Sequence, residues 1–288
     1  MTHSALVVGA TGIVGQATVG QVASAGWPVI ALSRKPLAQP GATPLAADLQ
    51  DPVGLTKALA AARPSHVFIT TWARQDSEAE NIRVNGAMIR NLLDALRPAG
   101  SVRHVALVTG LKHYLGPFES YGKGLLPQTP FREDQARLAV DNFYYAQEDE
   151  VFAAAERDGF TWSVHRPHTV IGHAVGNAMN MGQTLAVYAS LCRETGRPFR
   201  FPGSAAQWNG LTDMTDADQL ARHLLWASTT PTAANQAFNI VNGDVFRWSW
   251  MWGRLAAWFG LEAAPFDGQV IPLEQQMAGD AELWARLA

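Results

Sequence analysis

The sequence has little of several features that would each point to a particular class of protein. Cys192 is the single cysteine in 288 residues, so no disulfide can form within the chain. No apolar stretch reaches the roughly 18 residues of a transmembrane helix. Basic residues form no long run, and the formal net charge is −3. These absences exclude a disulfide-stapled domain and a membrane span, and they give no support to nucleic-acid binding.

The remaining composition bounds the domain count and the compartment. At 288 residues the chain fits one large domain, or a large and a small one. The eight histidines show no metal-ligand spacing, so we expect no metal site. The first predicted strand begins within five residues of Met1, which leaves no room for a signal peptide. Together with the lone cysteine, this predicts a cytoplasmic protein.

A glycine-rich turn near the start of the chain is the most informative feature. Residues 6–15 read Leu-Val-Val-Gly-Ala-Thr-Gly-Ile-Val-Gly, directly after an apolar run and before a helix predicted over Ile13–Ala25. Gly9 allows a tight turn, Gly12 lets the backbone approach a pyrophosphate, and Gly15 lets the helix pack close to the strand. The pattern predicts a dinucleotide-binding turn, and a glycine-rich turn without a ligand is the alternative.

The end of the second predicted strand, Val29–Leu32, indicates which dinucleotide is bound. Ser33 and Arg34 follow this strand, where an NAD-binding domain would carry an acidic residue for the ribose 2′-hydroxyl. An arginine can instead pair with a 2′-phosphate and stack on the adenine. We therefore predict NADP(H), with a solvated surface arginine as the alternative. Asp48, followed by Leu49, could accept from the adenine amino group or simply close a turn.

The first half of the chain alternates predicted strands and helices, which is typical of a Rossmann-type, doubly wound parallel sheet. Ligands of such sheets bind outside the carboxyl ends of the strands, so the residues after each strand are the candidates for ligand binding and catalysis. Strands are predicted over Ala5–Val8, Val29–Leu32, Thr43–Ala47, His66–Thr70, His104–Thr109 and Thr161–His165, and further helices over Pro52–Ala62, Glu78–Leu96 and Asp141–Asp158.

The second half is less regular and more aromatic, with eight of the ten tryptophans after residue 160. Helices are predicted over 177–192, within 214–227 and over 246–258, with a short strand and turn over 200–203 and a strand over 238–241. We predict an α/β fold with a nucleotide-binding domain over 1–170, which late elements from about 205–245 rejoin. Residues 171–204 and 246–288 are predicted to form a smaller, interleaved substrate-binding part.

Two motifs at the predicted ligand-binding edge carry candidate chemistry. Lys112 comes shortly after the fifth strand, and Tyr144 and Tyr145 come near the start of a helix. Short-chain dehydrogenases usually carry Tyr-x-x-x-Lys on such a helix, where the lysine lowers the pKa of the tyrosine one turn away. Here Glu148 and Asp149 stand at the lysine position. Either the tyrosine is not catalytic or the cation comes from elsewhere, and Lys112 is the obvious donor.

The stretches around these motifs are specific enough for comparison with a known family. They read Thr-Gly-Leu-Lys-His-Tyr-Leu-Gly-Pro-Phe-Glu-Ser-Tyr-Gly-Lys over 109–123 and Asn-Phe-Tyr-Tyr-Ala-Gln-Glu-Asp over 142–149. With shorter stretches at 71–73, 80–85, 162–167, 206–210 and 238–246, they resemble the progesterone 5β-reductase/iridoid synthase family over nearly the whole chain. The resemblance implies NADPH-dependent reduction of the activated C=C bond of enones and enals, with Lys112 and Tyr144 as the catalytic pair.

The chemistry of such a reduction agrees with this pair. Hydride adds to the β-carbon of an enone, and negative charge develops on the carbonyl oxygen. A hydrogen-bond donor at that oxygen stabilises the transition state, and Tyr144 can be that donor. Lys112 would keep the phenol acidic and could contact the nicotinamide ribose. A buried tyrosine with a satisfied hydroxyl and a solvated lysine are the alternatives.

The complete predicted site includes residues around the glycine turn and after the strands. The predicted cofactor-binding residues are Gly9, Thr11, Gly12, Ile13, Gly15, Ser33, Arg34, Asp48, Leu49, Thr71, Thr109, Lys112, Tyr144, Pro167 and Val170. An apolar substrate pocket is predicted from Trp72, Phe118, Tyr145, Met181, Tyr188 and Trp208, each of which could instead be only core. Such a pocket favours a small hydrophobic enone or enal as the substrate.

Two other functions stay open at this point. One is a carbonyl reductase, epimerase or dehydratase on the same scaffold, although those enzymes usually rely on the missing Tyr-x-x-x-Lys. The other is a non-catalytic NADP sensor, although such proteins tend to lose the tyrosine. We expect no nucleic-acid or membrane partner, and a homodimer is left open.

Overall fold

Two compact units make up the computed structural model, which describes residues 3–118, 129–174 and 179–288. The first unit comprises Met1–Asn177 and Thr215–Val241, and the second comprises Ala178–Met214 and Asn242–Ala288. The chain therefore leaves the first unit, forms part of the second, returns, and leaves again. The assignment of the second unit to substrate binding stays a prediction.

The strands and helices have the following bounds. The strands are β1 (Ala5–Val8), β2 (Val29–Ser33), β3 (Ala42–Ala46), β4 (His66–Ile69), β5 (His104–Val108), β6 (Thr161–Pro167), β7 (Val170–Ile171), β8 (Leu211–Thr212), β9 (Thr215–Asp216), β10 (Gln236–Ile240) and β11 (Phe246–Arg247). The helices are α1 (Ile13–Ser24), α2 (Pro52–Leu59), α3 (Glu78–Leu96), α4 (Lys112–Leu115), α5 (Phe143–Asp158), α6 (Met181–Thr195), α7 (Ala205–Asn209), α8 (Ala217–Thr229), α9 (Trp248–Trp258), α10 (Leu273–Gln276) and α11 (Ala281–Leu287).

A seven-stranded parallel sheet forms the centre of the first unit, in the order β3-β2-β1-β4-β5-β6-β10. Every residue of β1 and β4 is buried, as expected for central strands covered on both faces. The strand order reverses direction between β1 and β4, and ligands of doubly wound sheets bind at such a point. The predicted doubly wound parallel sheet is thus confirmed.

Helices cover both faces of this sheet. Helices α2, α3 and α5 pack on one face, where Leu55, Leu92 and Val151 enter the main apolar core. Helices α1 and α8 pack against each other on the opposite face, with Val19 and Leu224 in a second core. These layers hold the carboxyl ends of the strands in fixed positions. None of the helices in the described parts of the chain is long and apolar enough to cross a membrane.

The second unit has an aromatic core of its own. Phe199 and Trp252 stack with ring centroids 4.3 Å apart, and the indole N–H of Trp252 donates to the Phe199 carbonyl oxygen at 3.1 Å. Tyr188 and Phe201 pack on the same pair. Part of the tryptophan-rich sequence is therefore explained by this core.

Among the predicted elements of the second half that differ from the structure, three differ for a clear physical reason. The short strand predicted over 200–203 is wrong, because Pro202 has no N–H for a ladder. An isolated bridge to Ala263 forms just before this range, at Phe199. The first two residues of the helix predicted over 177–192 lie outside the described residues. In the described part this helix is α6, which begins at Met181 because the Asn180 side chain caps its first turn, and it continues to Thr195. The aromatic helix predicted from residue 246 begins two residues later, because β11 pairs with β8.

Candidate active site

The turn between β1 and α1 has the geometry of a phosphate cradle. Gly9 has φ +85°, which other residues rarely adopt. A Cβ at Gly15 would lie 2.0 Å from the Gly9 carbonyl oxygen, so only glycine lets α1 approach the turn this closely. At Gly12 the nearest atom to a built Cβ is the Gly9 oxygen at 3.3 Å. The three glycines therefore allow a close backbone approach in this turn and place no side chain at the start of α1.

The first turn of α1 also lacks a side-chain cap. Gly12 is the N-cap and offers no side-chain acceptor, whereas Asp51, Ser77 and Asn142 cap α2, α3 and α5. Uncapped N–H groups at a helix start bind phosphate oxygens well. A dinucleotide pyrophosphate fits this position. Thr11 and Ile13 belong to the same turn, and their predicted contacts with the cofactor stay a prediction.

The end of β2 carries a second feature that fits the predicted cofactor. The Ser33 hydroxyl oxygen is buried and has no hydrogen-bond partner among the described residues. Arg34, the next residue, is exposed. Buried hydroxyls without a partner are uncommon in proteins. A phosphate or ribose hydroxyl at this position would satisfy Ser33 and meet Arg34.

The structure gives Asp48 a local role. Its side-chain oxygen accepts from the backbone N–H of Gln50 at 2.9 Å, which is the turn geometry that the sequence left open. Leu49 is buried, and its carbonyl oxygen accepts from the Asn91 side chain. A contact of either residue with adenine stays a prediction.

The residues that follow the central strands meet at one edge of the sheet. A Cβ at Gly9 would lie 2.7 Å from the Thr71 Cβ, which places the end of β4 against the glycine turn. Thr109 follows β5, and its N–H donates to the His165 carbonyl oxygen of β6 at 2.8 Å. Pro167 ends β6, and Val170 begins β7 close by in sequence. Thr71, Thr109 and Pro167 thus lie where doubly wound folds bind ligands.

Tyr144 lies at this same edge. A Cβ at Gly110, two residues after β5 ends, would lie 3.3 Å from the Tyr144 hydroxyl oxygen and 3.3 Å from the Pro167 carbonyl oxygen. Asn142 fixes the start of α5, because its side-chain oxygen accepts from the Tyr144 N–H at 3.1 Å. Tyr144 is half-buried. Its hydroxyl group is therefore held at the carboxyl ends of β5 and β6.

Tyr145 has a different environment. It is buried, and its hydroxyl group donates to the His113 carbonyl oxygen at 2.5 Å and accepts from the Leu138 N–H at 3.1 Å. Burial raises the pKa of the Tyr145 phenol. The Tyr145 hydroxyl group thus connects the backbone at His113 with the backbone at Leu138. Its contribution to a substrate pocket stays a prediction.

Lys112 is buried and paired. Its Nζ lies 2.5 Å from Glu78 Oε1 and 3.4 Å from Asn142 Oδ1, with the lysine side chain 3% exposed. The ammonium also lies over the Phe143 ring, 4.8 Å from its centroid. Asn142 therefore connects the two predicted catalytic residues, since the same oxygen accepts from Lys112 and from the Tyr144 N–H. A solvated lysine is excluded by this burial.

Glu148, at the position of the usual lysine, forms a separate buried network. Its Oε2 accepts from Arg137 at 2.8 Å, and its Oε1 lies 3.5 Å from Arg166 and 3.4 Å from His113 Nδ1. Burial alone would raise the pKa of Glu148, but the contacts with His113, Arg166 and Arg137 outweigh it and lower the pKa. The charge of Glu148 is therefore balanced by arginines.

The sequence reasoning missed three residues of this arrangement. Glu78 is the first residue of α3, where acidic residues are common, so nothing in the sequence singles it out. Asn142 lies inside the quoted 142–149 motif, and its place before a predicted helix was the available signal. Arg166 lies in the quoted stretch 162–167. Each acts through contacts between segments far apart in sequence.

The predicted pocket residues lie in both units. In the first unit, Trp72 stacks on Phe143 with centroids 5.1 Å apart and lies 6.0 Å from Phe118. Phe143 and Phe118 both contact the Lys112 ammonium, which lies 4.8 Å and 5.2 Å from their ring centroids. They form an aromatic patch at the carboxyl ends of the strands.

The other three predicted pocket residues belong to the second unit. Tyr188 is 1% exposed, and its hydroxyl group contacts the Arg200 carbonyl oxygen and Gln276. Trp208 packs on Phe201, and Met181 borders the same core. All three thus contribute to the core of this unit, and their role as pocket walls stays a prediction.

Comparison with known proteins decides the family. A PRISE-like Rossmann-fold domain matches residues 57–287, and an NmrA-like family matches residues 1–108. The chain belongs to the PRISE-like Rossmann-fold family. The predicted resemblance to progesterone 5β-reductase and iridoid synthase is confirmed, because relatives of both kinds match nearly the whole chain.

Two relatives illustrate the PRISE-like match. The (S)-8-oxocitronellyl enol synthase CYC2 of Camptotheca acuminata is 39% identical, with 98% of this chain and 76% of the relative covered. The 3-oxo-Δ(4,5)-steroid 5β-reductase of Arabidopsis thaliana is 38% identical over the same shares. Identities of 38% and 39% over nearly the whole chain confirm that this protein is an enzyme, and that it is an oxidoreductase.

Solved structures confirm the fold. The UDP-glucose 4-epimerase of Thermotoga maritima, solved with UDP-glucose, has a TM-score of 0.70 and 19% identity, and the match covers 91% of this chain and 84% of the epimerase. The UDP-glucose 4-epimerase of Thermus thermophilus, in complex with NAD, has a TM-score of 0.70 and 17% identity, covering 96% and 93%. At identities below 20%, these two similarities show only the fold of the chain.

Proposed function

We propose that the chain reduces the C=C bond of enones and enals with NADPH. The observation that carries the proposal is the position of the Tyr144 hydroxyl group at the carboxyl ends of β5 and β6, 3.3 Å from a Cβ built at Gly110. In a doubly wound sheet, cofactor and substrate meet at this edge. The names of the relatives agree with the proposal, because a 3-oxo-Δ(4,5)-steroid is an enone and an enol synthase makes an enol.

The cradle residues fit NADP(H), which supplies a hydride when bound. The uncapped start of α1 would hold the pyrophosphate. The buried Ser33 hydroxyl group and the exposed Arg34 guanidinium would hold the 2′-phosphate. Thr71, Thr109, Pro167 and Val170 remain proposed cofactor contacts.

Tyr144 would donate its phenolic proton in a hydrogen bond to the substrate carbonyl oxygen. When hydride adds to the β-carbon, the π electrons of the C=C bond shift towards the carbonyl group, and the oxygen gains negative charge. The enolate then takes a proton from water at its α-carbon, which releases hydroxide to the solvent and completes the reduction to the saturated carbonyl compound. A positioned donor at the oxygen contributes a rate factor of about 10² to 10³.

Lys112 would support Tyr144 rather than contact the reacting carbons. The ammonium and the Tyr144 backbone N–H share the Asn142 side-chain oxygen, at 3.4 Å and 3.1 Å. Burial of the lysine strengthens its electrostatic effect on groups nearby. A hydrogen bond from this ammonium to the nicotinamide ribose is the second role that we propose for it.

The substrate that we propose is small and hydrophobic. Trp72 and Phe118 offer an aromatic surface beside Lys112 and Phe143. An apolar surround excludes water and strengthens the hydrogen bond to the developing enolate. Assembly as a homodimer stays a prediction.

The variant Tyr144→Phe tests the proposal. We expect kcat with NADPH and a weakly activated cyclic enone to fall by about 10² or more, because only the donor hydroxyl is lost. The affinity for NADP⁺, measured by calorimetry, should stay within about twofold, because the cradle is unchanged. An enal, whose enolate needs less stabilisation, should retain more of its rate.

Tyr114→Phe is the matched control. Tyr114 also lies after β5, but its hydroxyl group donates to Asn239 Oδ1 at 2.8 Å. This variant should keep most of the turnover. The proposal for Tyr144 is wrong if Tyr144→Phe turns over every enone as fast as the unmodified protein.

A further inference from the structure

A buried carboxylate lies where three helices begin. Glu78, Lys112 and Phe143 are the first residues of α3, α4 and α5. One oxygen of Glu78, Oε1, accepts from Lys112 Nζ at 2.5 Å and from the Phe143 backbone N–H at 2.7 Å. The same atom therefore contacts the predicted catalytic lysine and the residue directly before the predicted catalytic tyrosine.

The position of Glu78 is not explained by helix capping. Ser77 already caps α3, because its hydroxyl oxygen accepts from the Glu80 N–H at 3.3 Å. Glu80, two residues further, behaves as an ordinary acidic residue of a first turn, with a 50% exposed side chain paired to Arg83. The Glu78 side chain is only 10% exposed. Burial of a carboxylate is costly unless a partner compensates the charge.

Lys112 supplies this compensation. Among the described residues it is the one cation within ion-pair distance of Glu78. The other carboxylate oxygen, Oε2, is buried and has no hydrogen-bond partner in those ranges. Breaking a buried pair leaves an uncompensated charge, so Glu78 and Lys112 depend on each other.

The aromatic rings around Lys112 do not replace the carboxylate. Phe143 and Phe118 attract the ammonium at 4.8 Å and 5.2 Å from their centroids, but a ring face accepts a cation over a broad area. A charged hydrogen bond of 2.5 Å fixes both distance and direction. Glu78 is thus the contact that orients the amine.

We propose that Glu78 is a positioning residue for the reduction, which holds the Lys112 ammonium and the start of α5 in one fixed arrangement. This inference rests on the proposed function of Tyr144 and Lys112. Tyr144 follows Phe143, so the hydrogen bond of Glu78 to the Phe143 N–H also fixes the backbone that carries the donor hydroxyl group. Glu78 affects the reaction only through Lys112 and Tyr144.

The variant Glu78→Gln tests the charge specifically. Glutamine keeps an oxygen that can accept from the Phe143 N–H, but it removes the charge that holds Lys112. We expect kcat to fall roughly 10- to 100-fold, because misplacing a catalytic group by about 1 Å has effects of that size. The KM for the enone should change by less than about threefold, since Glu78 does not contact the substrate.

Two further variants separate charge from structure. Glu78→Asp keeps the carboxylate and should recover part of the turnover that Glu78→Gln loses. Glu80→Gln removes an acidic residue from the same helical turn and should leave kcat unchanged. In a Lys112→Met background, Glu78→Gln should lower kcat no further, because its effect passes through the lysine.

Chemical denaturation tests the pair without any activity. Lys112→Met and Glu78→Gln should each lower the unfolding midpoint, because each leaves one buried charge without its partner. The double variant Glu78→Gln/Lys112→Met removes both charges and should be more stable than either single variant. This reversal is specific for a coupled buried pair.

The outcomes distinguish the inference from the proposed function. An unmodified protein that reduces no enone would refute the proposed function, and the unfolding midpoints would then decide whether Glu78 and Lys112 are coupled. An active protein whose Glu78→Gln variant turns over at the unmodified rate would overturn the inference alone. Additive losses of stability in the double variant would also overturn it.

Discussion

The variant Gly15→Ala gives a quantitative test of the cofactor cradle. A Cβ at Gly15 would lie 2.0 Å from the Gly9 carbonyl oxygen and 2.9 Å from the Ala10 Cα, whereas ordinary contacts begin at 3.4 Å. The obstacle is backbone, so no side-chain rotation can relieve it, and α1 must move away from the turn by more than 1 Å. Overpacking typically costs about 1–3 kcal/mol, and we expect the upper end of this range here.

The expected result has two parts. At about 2–4 °C of melting temperature per kcal/mol, Gly15→Ala should lower the Tm by roughly 6–12 °C. Because the displaced turn is also the proposed pyrophosphate site, the Kd for NADP⁺ should rise by about tenfold or more. Thermal unfolding by circular dichroism and titration calorimetry measure the two effects.

Gly20→Ala is the matched control on the same helix. No atom lies within 4 Å of a Cβ built at Gly20, so alanine there should raise stability by about 0.5–1 kcal/mol through its better helix propensity. Opposite shifts for the two variants are the signature of the close approach. A Gly15→Ala protein with unchanged Tm and Kd would refute the account of the turn.

Three other predictions concern the cofactor, acid stability and the Glu148 network. Arg34→Ala should raise the KM for NADPH about 10- to 100-fold with little change in the KM for NADH, and the control Lys35→Ala should change neither KM much. Equal use of NADPH and NADH by the unmodified protein would contradict this prediction. Burial, with a contribution from His66, lowers the pKa of His104 from 6.5 to about 4, so the unfolded state binds the proton first as the pH falls from 6.5 to 4. Through His104, the free energy of unfolding is therefore highest above pH 6.5 and falls by about 3 kcal/mol by pH 4. The variant His104→Gln should show a shallower decline in the free energy of unfolding over this range. Glu148→Gln should lower the free energy of unfolding by about 3–5 kcal/mol in urea denaturation, because Arg137 and Arg166 lose their buried partner; a loss under 1 kcal/mol would disprove the network.

The sheet could be predicted from sequence because its signals are local. Buried parallel strands appear as short apolar runs, and the spacing of Gly9, Gly12 and Gly15 marks the first turn. Strand β1 and helix α3 have the predicted bounds, Ala5–Val8 and Glu78–Leu96. The second unit gave weaker signals, because its aromatic residues do not repeat with a single period, and caps such as Asn180 set its helix bounds.

The site was predictable only where a motif marked it. Lys112 and Tyr144 lie in distinctive stretches, but the partner of Lys112 lies 34 residues earlier in sequence. Glu78 shares its helical turn with the exposed Glu80, and only the fold shows which of the two is buried. The resemblance already distinguishes Tyr144 from Tyr145, but the different environments of their two hydroxyl groups are seen only in the structure, because adjacent helical residues point about 100° apart.

The most direct test of enone reduction follows the hydride with an isotope. NADPH carrying two deuterium atoms at C4 of the nicotinamide is incubated with the unmodified protein and 2-cyclohexen-1-one, and the product is examined by mass spectrometry and NMR. We predict cyclohexanone with deuterium at the β-carbon, and much less of it from Tyr144→Phe. Deuterium at the carbinol carbon of an allylic alcohol, or the absence of any deuterated product across a panel of enones and enals, would contradict the account.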